Sequence, residues 1–346
     1  MPSVLTKFLF FSFCFFLLSC KESKTNDKLI EWSGQAMGST FKISYKDSLS
    51  RNLSKEVDSL LLIFDKELST YREDSRIVKL NQSDSCIFVS NQEPAFLLDL
   101  LEKSIQIHKM SQGYFNPTLM PLIEYWGFGS KNKEMVKEPN QKTIDSLLQF
   151  CKMNEISVTE SENGKLICKK DKKIQLVFNA IAPGYAADLI GLFLEKKGIQ
   201  NYMVEMGGEI RCRGKQNKKY GWIIGINTPR EGVEKDDIQV ITELNEMSLA
   251  TSGNYRNFKT DGKLKYAHTL NPFTGFPEKN ELLSVSIFTK ECSIADAIAT
   301  ACMAMGKEKA WKLIQEQQIE AYLIYSDSEG NMQTLMTEKL KKWIKE

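Results

Sequence analysis

The feature that most constrains the fold is the alternation of short strand-like runs and helical segments over the second half of the chain. The runs are rich in β-branched and aromatic residues, and several lie close enough together to form hairpins. Between them, apolar residues recur at helical spacing. The predicted strands are at 155–158, 165–169, 174–178, 201–205, 209–213, 221–226, 238–243, 282–289 and 320–325, and the predicted helices are at 184–197, 293–305 and 307–317. Interleaved helices and hairpins predict an α+β fold with a mixed sheet.

The sequence pattern predicts fewer regular elements between residues 31 and 154. They are a strand with a glycine-containing bend at 35–45, helices at 53–68 and 95–111, an irregular stretch at 114–129 and a solvated charged loop at 130–142. No repeat and no low-complexity linker divides the chain, so we expect one compact unit rather than two independent domains.

The N-terminus has the pattern of an export signal. Residues 8–18 (FLFFSFCFFLL) form an apolar run that is too short to span a bilayer but matches a signal-peptide core. The run is followed by Cys20 in LLSC, which resembles the bacterial lipobox, and a lipobox cysteine becomes the lipidated first residue of the mature protein. A plain secretory signal or a short buried helix is the alternative. The lipobox interpretation predicts a signal peptide at 1–20, a polar tether at 21–30 and a domain at 31–346, anchored by lipid to a periplasm-facing membrane of the bacterial cell envelope.

Charge, histidine and cysteine content exclude several classes of partner and site. With 46 basic and 44 acidic side chains, the net charge of +2 gives no electrostatic footprint for nucleic acid. Two histidines are too few for a His-rich zinc or copper site, so any metal is expected to be a hard cation held by oxygen. The cysteines after the signal show no metal-ligand spacing, and we expect most of them to be small buried residues. Export permits disulfides, but a core of this size makes them unnecessary and no pairing can be deduced.

The segment SIADAIATACMAMG contains the strongest candidate for a metal site. Asp296 and Thr300 are four residues apart, so their oxygens lie on one face of a helix among small and apolar neighbours. A buried carboxylate needs a partner, and carboxylate and hydroxyl oxygens suit Mg²⁺. The alternative is a capping box, in which Ser293 is the N-cap and Asp296 lies three residues further on.

Other candidates carry weaker signals. His268, in a segment rich in turn-forming residues, could accept a proton near neutral pH or could simply bond a carbonyl, whereas His108 is more simply structural. The segment Thr251-Ser252-Gly253 could present hydroxyl and N–H groups to an anion, or could be an ordinary turn. Neither a Rossmann nor a Walker phosphate loop occurs, and no GxSxG motif is present. Aromatic residues in the irregular segments could stack on a planar ring or fill the core beneath loops; they are Tyr71, Tyr114, Phe115, Trp126 and Phe128.

Taken together, these segments resemble the ApbE family of FAD:protein FMN transferases, in the same order over nearly the whole mature chain. The matching stretches are MGS (37–39), STYREDSRIVKLN (69–81), the segment 114–128, FNAIAPGYAAD (178–188), MVEMGGEIRCRG (203–214), ATSGNYRNF (250–258), HTLNPFTGFP (268–277) and ADAIATACMAMG (295–306). Any one of them is weak, and eight in register are specific. Many members of this family are exported lipoproteins, in agreement with the interpretation of Cys20.

The resemblance implies a reaction and a site. FAD binds with Mg²⁺ in a cleft between sub-lobes, a Thr or Ser hydroxyl of an acceptor protein attacks the phosphorus on the FMN side, and AMP leaves. The metal ligands would be Asp296, Thr300 and the backbone carbonyl of Ala180, and His268 would activate the acceptor hydroxyl. The FAD-contact positions are Met37, Tyr71, Tyr114, Phe115, Asn116, Val177, Pro183 and Leu270. The implied acceptors are exported or membrane proteins, such as subunits of a sodium- or proton-linked redox complex.

Four positions depart from the family pattern. The family has Asp where this chain has Val177, and Lys or Gln where it has Pro183; Pro183 offers neither a charge nor a backbone N–H to a ligand. Asn116 and Asn271 each replace an Asp. These changes bear on FAD contacts more than on the reaction type, because the implied metal ligands are intact.

Three other functions compete with the transferase. A hydrolase would use the same site with water in place of the acceptor and split FAD into FMN and AMP. A flavin-binding lipoprotein would hold FAD without chemistry, and a redox flavoprotein would retain the flavin and exchange electrons. The presence of Asp296, Thr300 and His268 argues against the carrier, because a pure carrier needs no base.

Overall fold

The computed structural model describes residues 28–345, except 130–135, 137, 230–236, 255–257, 262–263 and 268, and it describes the backbone alone at 258–261 and 264–267. The apolar run, Cys20 and the loop residues 130–135 therefore lie outside the described residues, as does His268. The first strand begins at Lys28, three residues before the predicted start of the domain. Within the described part, no helix is both long enough and apolar enough to cross a membrane.

The described chain folds into helices and antiparallel strands. The helices are α1 Ser54–Leu68, α2 Arg76–Gln82, α3 Phe96–Met110, α4 Met120–Tyr125, α5 Gln141–Leu148, α6 Ala182–Lys196, α7 Cys292–Met305 and α8 Lys307–Glu316. The strands are β1 Lys28–Ala36, β2 Ser39–Asp47, β3 Cys86–Ser90, β4 Ile156–Ser161, β5 Gly164–Lys169, β6 Asn201–Met206, β7 Glu209–Arg213, β8 Trp222–Asn227, β9 Ile238–Leu244, β10 Ser248–Gly253, β11 Phe258–Asp261, β12 Leu264–Ala267, β13 Leu282–Thr289, β14 Glu320–Ser326, β15 Met332–Met336 and β16 Ile344–Lys345.

The strands form one large sheet and three small ones. The large sheet has the order β1-β2-β6-β7-β10-β13-β14-β15, and the small sheets are β16-β9-β8, β3-β5-β4 and β11-β12. Helices alternate with these strands along the chain, so the predicted α+β class is confirmed.

The large sheet is covered on both faces. Ala250 and Ile287 point to the main core, which they share with apolar residues of α6 and α7. Their chain neighbours Leu249 and Phe288 point the other way and pack with Trp222 of the sheet β16-β9-β8. Because side chains alternate across a strand, this division places the helices on one face and the small sheet on the opposite face.

A notch interrupts the large sheet between β7 and β10. These two strands pair only at Ser248↔Arg211 and Leu249↔Ile210, because the β6–β7 hairpin turns back at Gly207 and Gly208. Both glycines have positive φ (69° and 113°), which a tight hairpin turn requires. Beyond the turn, β10 continues to Gly253, and β13 is its only partner there among the described strands.

The predicted strand at 174–178 is wrong. Four of its five residues are buried, as in a core strand, but their backbone partners do not belong to another strand. The Asn81 side chain bonds the backbone of Leu176 on both sides, accepting from its N–H (2.7 Å) and donating to its carbonyl (2.8 Å). The N–H of Val177 donates to the carbonyl of Pro117 at 2.8 Å. An amide side chain thus replaces the neighbouring strand.

Three other expectations need correction. The predicted strand at 35–45 is instead the end of β1, a turn with positive φ at Met37 and Gly38, and most of β2. The stretch 114–129 contains helix α4, whose proline lies in the first turn, where a missing N–H is tolerated. Cys86 and Cys168 form a disulfide between β3 and β5, although disulfides seemed unnecessary. The other four described cysteines are free and buried, as predicted.

Candidate active site

A cleft of about 1050 Å³ opens in the notch beyond the β6–β7 hairpin. Its walls come from the start of α6, one side of α7, the end of β10, the end of β8 and the segment before α4. Nine of the predicted site residues line it: Tyr114, Phe115, Asn116, Val177, Ala180, Pro183, Leu270, Asp296 and Thr300. The fold therefore brings together residues that are up to 186 positions apart in the sequence, Tyr114 and Thr300.

Three predicted site residues are not among those lining residues. Met37 lies in the β1–β2 turn and is 37% exposed, although nearby Ser39 lines the cleft. Tyr71 lies between α1 and α2 and is 69% exposed. His268 lies outside the described residues, and the next residues along the chain, Thr269 and Leu270, line the cleft.

Asp296 is placed by α7 and is 5% exposed. Helix α7 begins at Cys292, so Asp296 is its fifth residue and not the third, and the capping-box alternative is wrong. Its Oδ2 instead accepts the backbone N–H of Gly184 from α6 at 3.1 Å. Thr300 follows one turn later, and its hydroxyl lies 3.3 Å from that of Ser252 on β10.

The N-terminus of α7 is capped by a residue of another helix. Asp188 on α6 accepts the backbone N–H groups of Cys292 and Ser293, each at 2.9 Å, and the Ser293 hydroxyl at 2.7 Å. Arg211 on β7 donates to the same carboxylate at 2.7 Å. Because first-turn N–H groups have no partner within their own helix, Asp188 fixes where α7 starts relative to α6.

Helices α6 and α7 are in close contact at Gly184. A Cβ added there would lie 2.5 Å from the carbonyl oxygen of Cys292 and 2.9 Å from the Cβ of Asp296. Any larger residue would push the helices apart. The glycine of the GYAAD segment therefore sets the distance between the start of α6 and the face of α7 that carries Asp296 and Thr300.

The described lining of the cleft is acidic. It includes Glu205, Glu209 and Asp296, and none of the described lining residues is Lys, Arg or His. Burial raises the pKa of Asp296, and the charge of Asp188 raises it further, while the Gly184 N–H opposes both. Burial also raises the pKa of Glu205, because removal from water disfavours the charged carboxylate. Carboxylates in such a cleft are stabilised by a bound cation.

The donor set fits a hard cation. Asp296, Thr300 and Ala180 all line one cleft, and carboxylate, hydroxyl and backbone carbonyl oxygens are ligands that a hard cation accepts. In the described chain, no group of three or more His, Cys, Asp or Glu could hold a metal alone. A cation bound here would therefore keep positions for water or for ligand oxygens, as Mg²⁺ commonly does.

The structure explains some of the four positions at which this chain departs from the family pattern. Asn116 donates from Nδ2 to the carbonyl of Cys151 at 3.0 Å, and Asn271 donates to Glu278 at 2.8 Å. An aspartate could make neither bond and would repel Glu278. Pro183 occupies the first turn of α6, where a helix tolerates proline. Val177 is 6% exposed and presents an apolar surface to the cleft.

The sequence left several cleft residues unassigned. Glu205 and Glu209 flank the double-glycine turn, and Asn227 ends β8. The Gly207-Gly208 pair is the signal that could have pointed to the two glutamates, because it marks the hairpin tip that faces the cleft. The weak anion-binding candidate Thr251-Ser252-Gly253 does line the cleft.

Comparison with known proteins gives consistent results. The model of the ApbE family matches residues 37–323. An FAD:protein FMN transferase of Vibrio cholerae is 31% identical over 307 residues, which are 87% of this chain and 89% of that protein. The apo crystal structure of the flavinyl transferase ApbE of Pseudomonas stutzeri superposes with a TM-score of 0.81 at 31% identity, covering 92% of this chain and 97% of that one. The flavin transferase ApbE of Vibrio cholerae gives a TM-score of 0.79 at 29% identity, with coverage of 92% and 99%. A family match over most of the chain, joined to the same fold and the cleft described above, confirms the resemblance: this chain belongs to the ApbE family.

Proposed function

We propose that this protein transfers FMN from FAD to a Thr or Ser hydroxyl of an acceptor protein, forming a phosphoester and releasing AMP, with Mg²⁺ as cofactor. The observation that carries the proposal is the placement of Asp296 and Thr300 on a cleft of about 1050 Å³ whose described lining has no basic side chain. Small-molecule sites measure roughly 300–1,000 Å³, so the cleft is large enough for a dinucleotide. An anionic diphosphate in an acidic cleft requires a cation, and family membership supports FAD as the donor.

The residues have separate roles in this proposal. Asp296, Thr300 and the Ala180 carbonyl hold the metal, and Tyr114 and Phe115 present aromatic surface to the flavin nucleotide. When bound, Mg²⁺ neutralises charge on the diphosphate and orients it. His268 accepts the proton of the acceptor hydroxyl, whose oxygen forms the new bond to phosphorus. The bond from that phosphorus to the AMP oxygen breaks, and AMP leaves with the electron pair.

The proposal places the enzyme in the bacterial cell envelope. The LLSC sequence supports lipidation of Cys20, which would tether the domain to a periplasm-facing membrane through the polar segment that follows it. Acceptors would then be exported proteins or the exposed domains of membrane redox complexes.

The test combines the purified protein, FAD, Mg²⁺ and an exported flavoprotein domain prepared without its FMN. Mass spectrometry follows the acceptor while AMP is quantified. We expect an FMN-sized mass gain and equal AMP, both reduced at least 100-fold in Asp296→Ala and unchanged in Asp145→Ala, an exposed aspartate on α5. AMP without an adduct on any acceptor indicates the hydrolase, and FAD binding without AMP indicates the carrier.

A further inference from the structure

The loop from Thr269 to Glu278 is closed on itself by backbone hydrogen bonds. The N–H of Glu278 donates to the carbonyl of Thr269 at 2.8 Å, and Leu270 pairs with Pro277 as an isolated bridge. The N–H of Asn271 donates to the carbonyl of Phe276 at 2.8 Å. Bonds of this number within ten residues make the loop a rigid unit.

The loop is also anchored to the body of the protein at Gly275. The indole N–H of Trp126, which is fully buried, donates to the Gly275 carbonyl at 2.7 Å. Gly275 has a φ of 73°, and a Cβ there would lie 2.6 Å from a methyl carbon of Ile144. This side of the loop is therefore packed closely against the body of the protein.

The same loop holds one large aromatic ring in solvent. Phe273 is 56% exposed, although its backbone N–H is fixed by the side chain of Asn271 at 2.9 Å. Its ring meets that of Tyr114 edge-on, with centroids 4.8 Å apart, and covers Gly113. Tyr114 in turn lines the cleft, and the ammonium of Lys309 lies 5.1 Å from its ring centroid. We call Phe273 and Tyr114 the aromatic rim.

Exposed apolar side chains are ordinary when scattered singly. The aromatic rim differs because it is continuous with the cleft and its position is fixed by the loop. Fixed aromatic rings lose little conformational entropy on binding, and for this reason they dominate many protein interfaces. Phe273 itself is not among the lining residues of the cleft, so its exposed ring is accessible to a molecule outside the cleft.

We propose that the aromatic rim is a docking point for the acceptor protein, where an apolar side chain near the modified Thr or Ser packs against Phe273. The inference rests on the proposed function. An acceptor hydroxyl must reach a dinucleotide bound in the cleft, and Tyr114, which lines the cleft, is in ring contact with Phe273. A folded acceptor domain cannot enter the cleft, so the chain around its hydroxyl lies across the rim.

The test compares Phe273→Ala and Phe273→Leu with Phe88→Ala, a control that removes another exposed phenylalanine, 48% exposed on β3. The probe is the FMN-free flavoprotein domain, with a Thr→Val form for measuring binding without transfer. We expect Phe273→Ala to raise the half-saturating acceptor concentration about tenfold, Phe273→Leu to raise it less, and Phe88→Ala to leave it unchanged. Half-saturation by FAD should be the same in all four proteins.

Two results would overturn the inference: an acceptor half-saturation in Phe273→Ala within twofold of the wild type, or an equal weakening of FAD binding, which would assign the ring to the flavin site. Failure of the proposed function looks different. In that case the wild-type protein forms no FMN adduct on the acceptor, and the Thr→Val acceptor domain still binds more weakly to Phe273→Ala than to the wild type.

Discussion

Removal of the Asp188 carboxylate should destabilise the fold strongly, although Asp188 does not line the cleft. The group is 4% exposed and accepts three hydrogen bonds from the first turn of α7, besides its ion pair with Arg211. In Asp188→Ala, two backbone N–H groups and the Ser293 hydroxyl lose their acceptor. Among the described residues, the partners that Arg211 keeps are Glu195, at 3.1 Å, and the Tyr202 hydroxyl, at 2.9 Å.

The expected loss of stability in Asp188→Ala has two contributions that overlap. Breaking a buried ion pair by removing one partner costs about 3–5 kcal/mol, because the other charge stays buried. Loss of a helix cap costs about 1 kcal/mol. Since Glu195 still neutralises part of the Arg211 charge, we expect Asp188→Ala to reduce the free energy of unfolding by about 3 kcal/mol, at the low end of the first range.

Urea unfolding of Asp188→Ala, Arg211→Met and the double variant measures both the loss and its cause. The two single losses should add to more than the double loss by about 1–3 kcal/mol, since either change breaks the same pair. Asp145→Ala, an exposed aspartate on α5, should change stability by less than about 0.5 kcal/mol. A loss below about 1 kcal/mol in Asp188→Ala, or simple additivity in the double variant, would refute the assigned role of the carboxylate.

Two further changes test the helix packing and the acid stability. Gly184→Ala places a Cβ 2.5 Å from the Cys292 carbonyl oxygen, so we expect a loss of about 1–3 kcal/mol in urea unfolding; an unchanged midpoint would contradict the close approach of α6 and α7. Hydrogen bonds from Arg51 lower the pKa of Asp47 from 3.8 to about 2, so this pair stabilises the fold above about pH 4 and ceases to do so as the pH falls through 2. Arg51 is partly exposed to solvent, which reduces the contribution of this ion pair to stability to about 1 kcal/mol. Asp47→Asn should therefore be less stable than the wild type by that amount at pH 7 and equal to it near pH 2. The same difference in stability at both pH values would contradict the assignment.

Periodicity predicted helices α6 and α7 and strand β8 of the cleft walls but missed β10, whose end lines the cleft. Helix α7 and strands β13 and β14 lie within one or two residues of their predicted bounds, because each is a long regular run of apolar residues. The segment 174–178 has the same apolar character and is not a strand. A sequence pattern reports burial, and it does not show that the neighbouring backbone is supplied by the side chain of Asn81 instead of a strand.

At the candidate metal site, too, the local sequence pattern was compatible with two structures. The spacing of Ser293, Asp296 and Thr300 fits both a capping box and a metal-ligand face. The residue that rules out the capping box is Asp188, 104 positions before Cys292, which caps the helix instead. Local spacing contains no information about a cap supplied by another helix.

The shape of the cleft depends on the difference in length between the β6–β7 hairpin and strand β10. The sequence of either segment alone does not show this difference. The β6–β7 hairpin ends at Gly207 and Gly208, but β10 runs on to Gly253 with only β13 beside it. Backbone groups on that side of β10 therefore have no partner from β7, and buried polar groups need one. A ligand in the notch would occupy the place of the missing strand pairing. Lengthening the hairpin by two residues would extend β6 and β7 into that place, so the tight turn at the two glycines leaves room for the cleft.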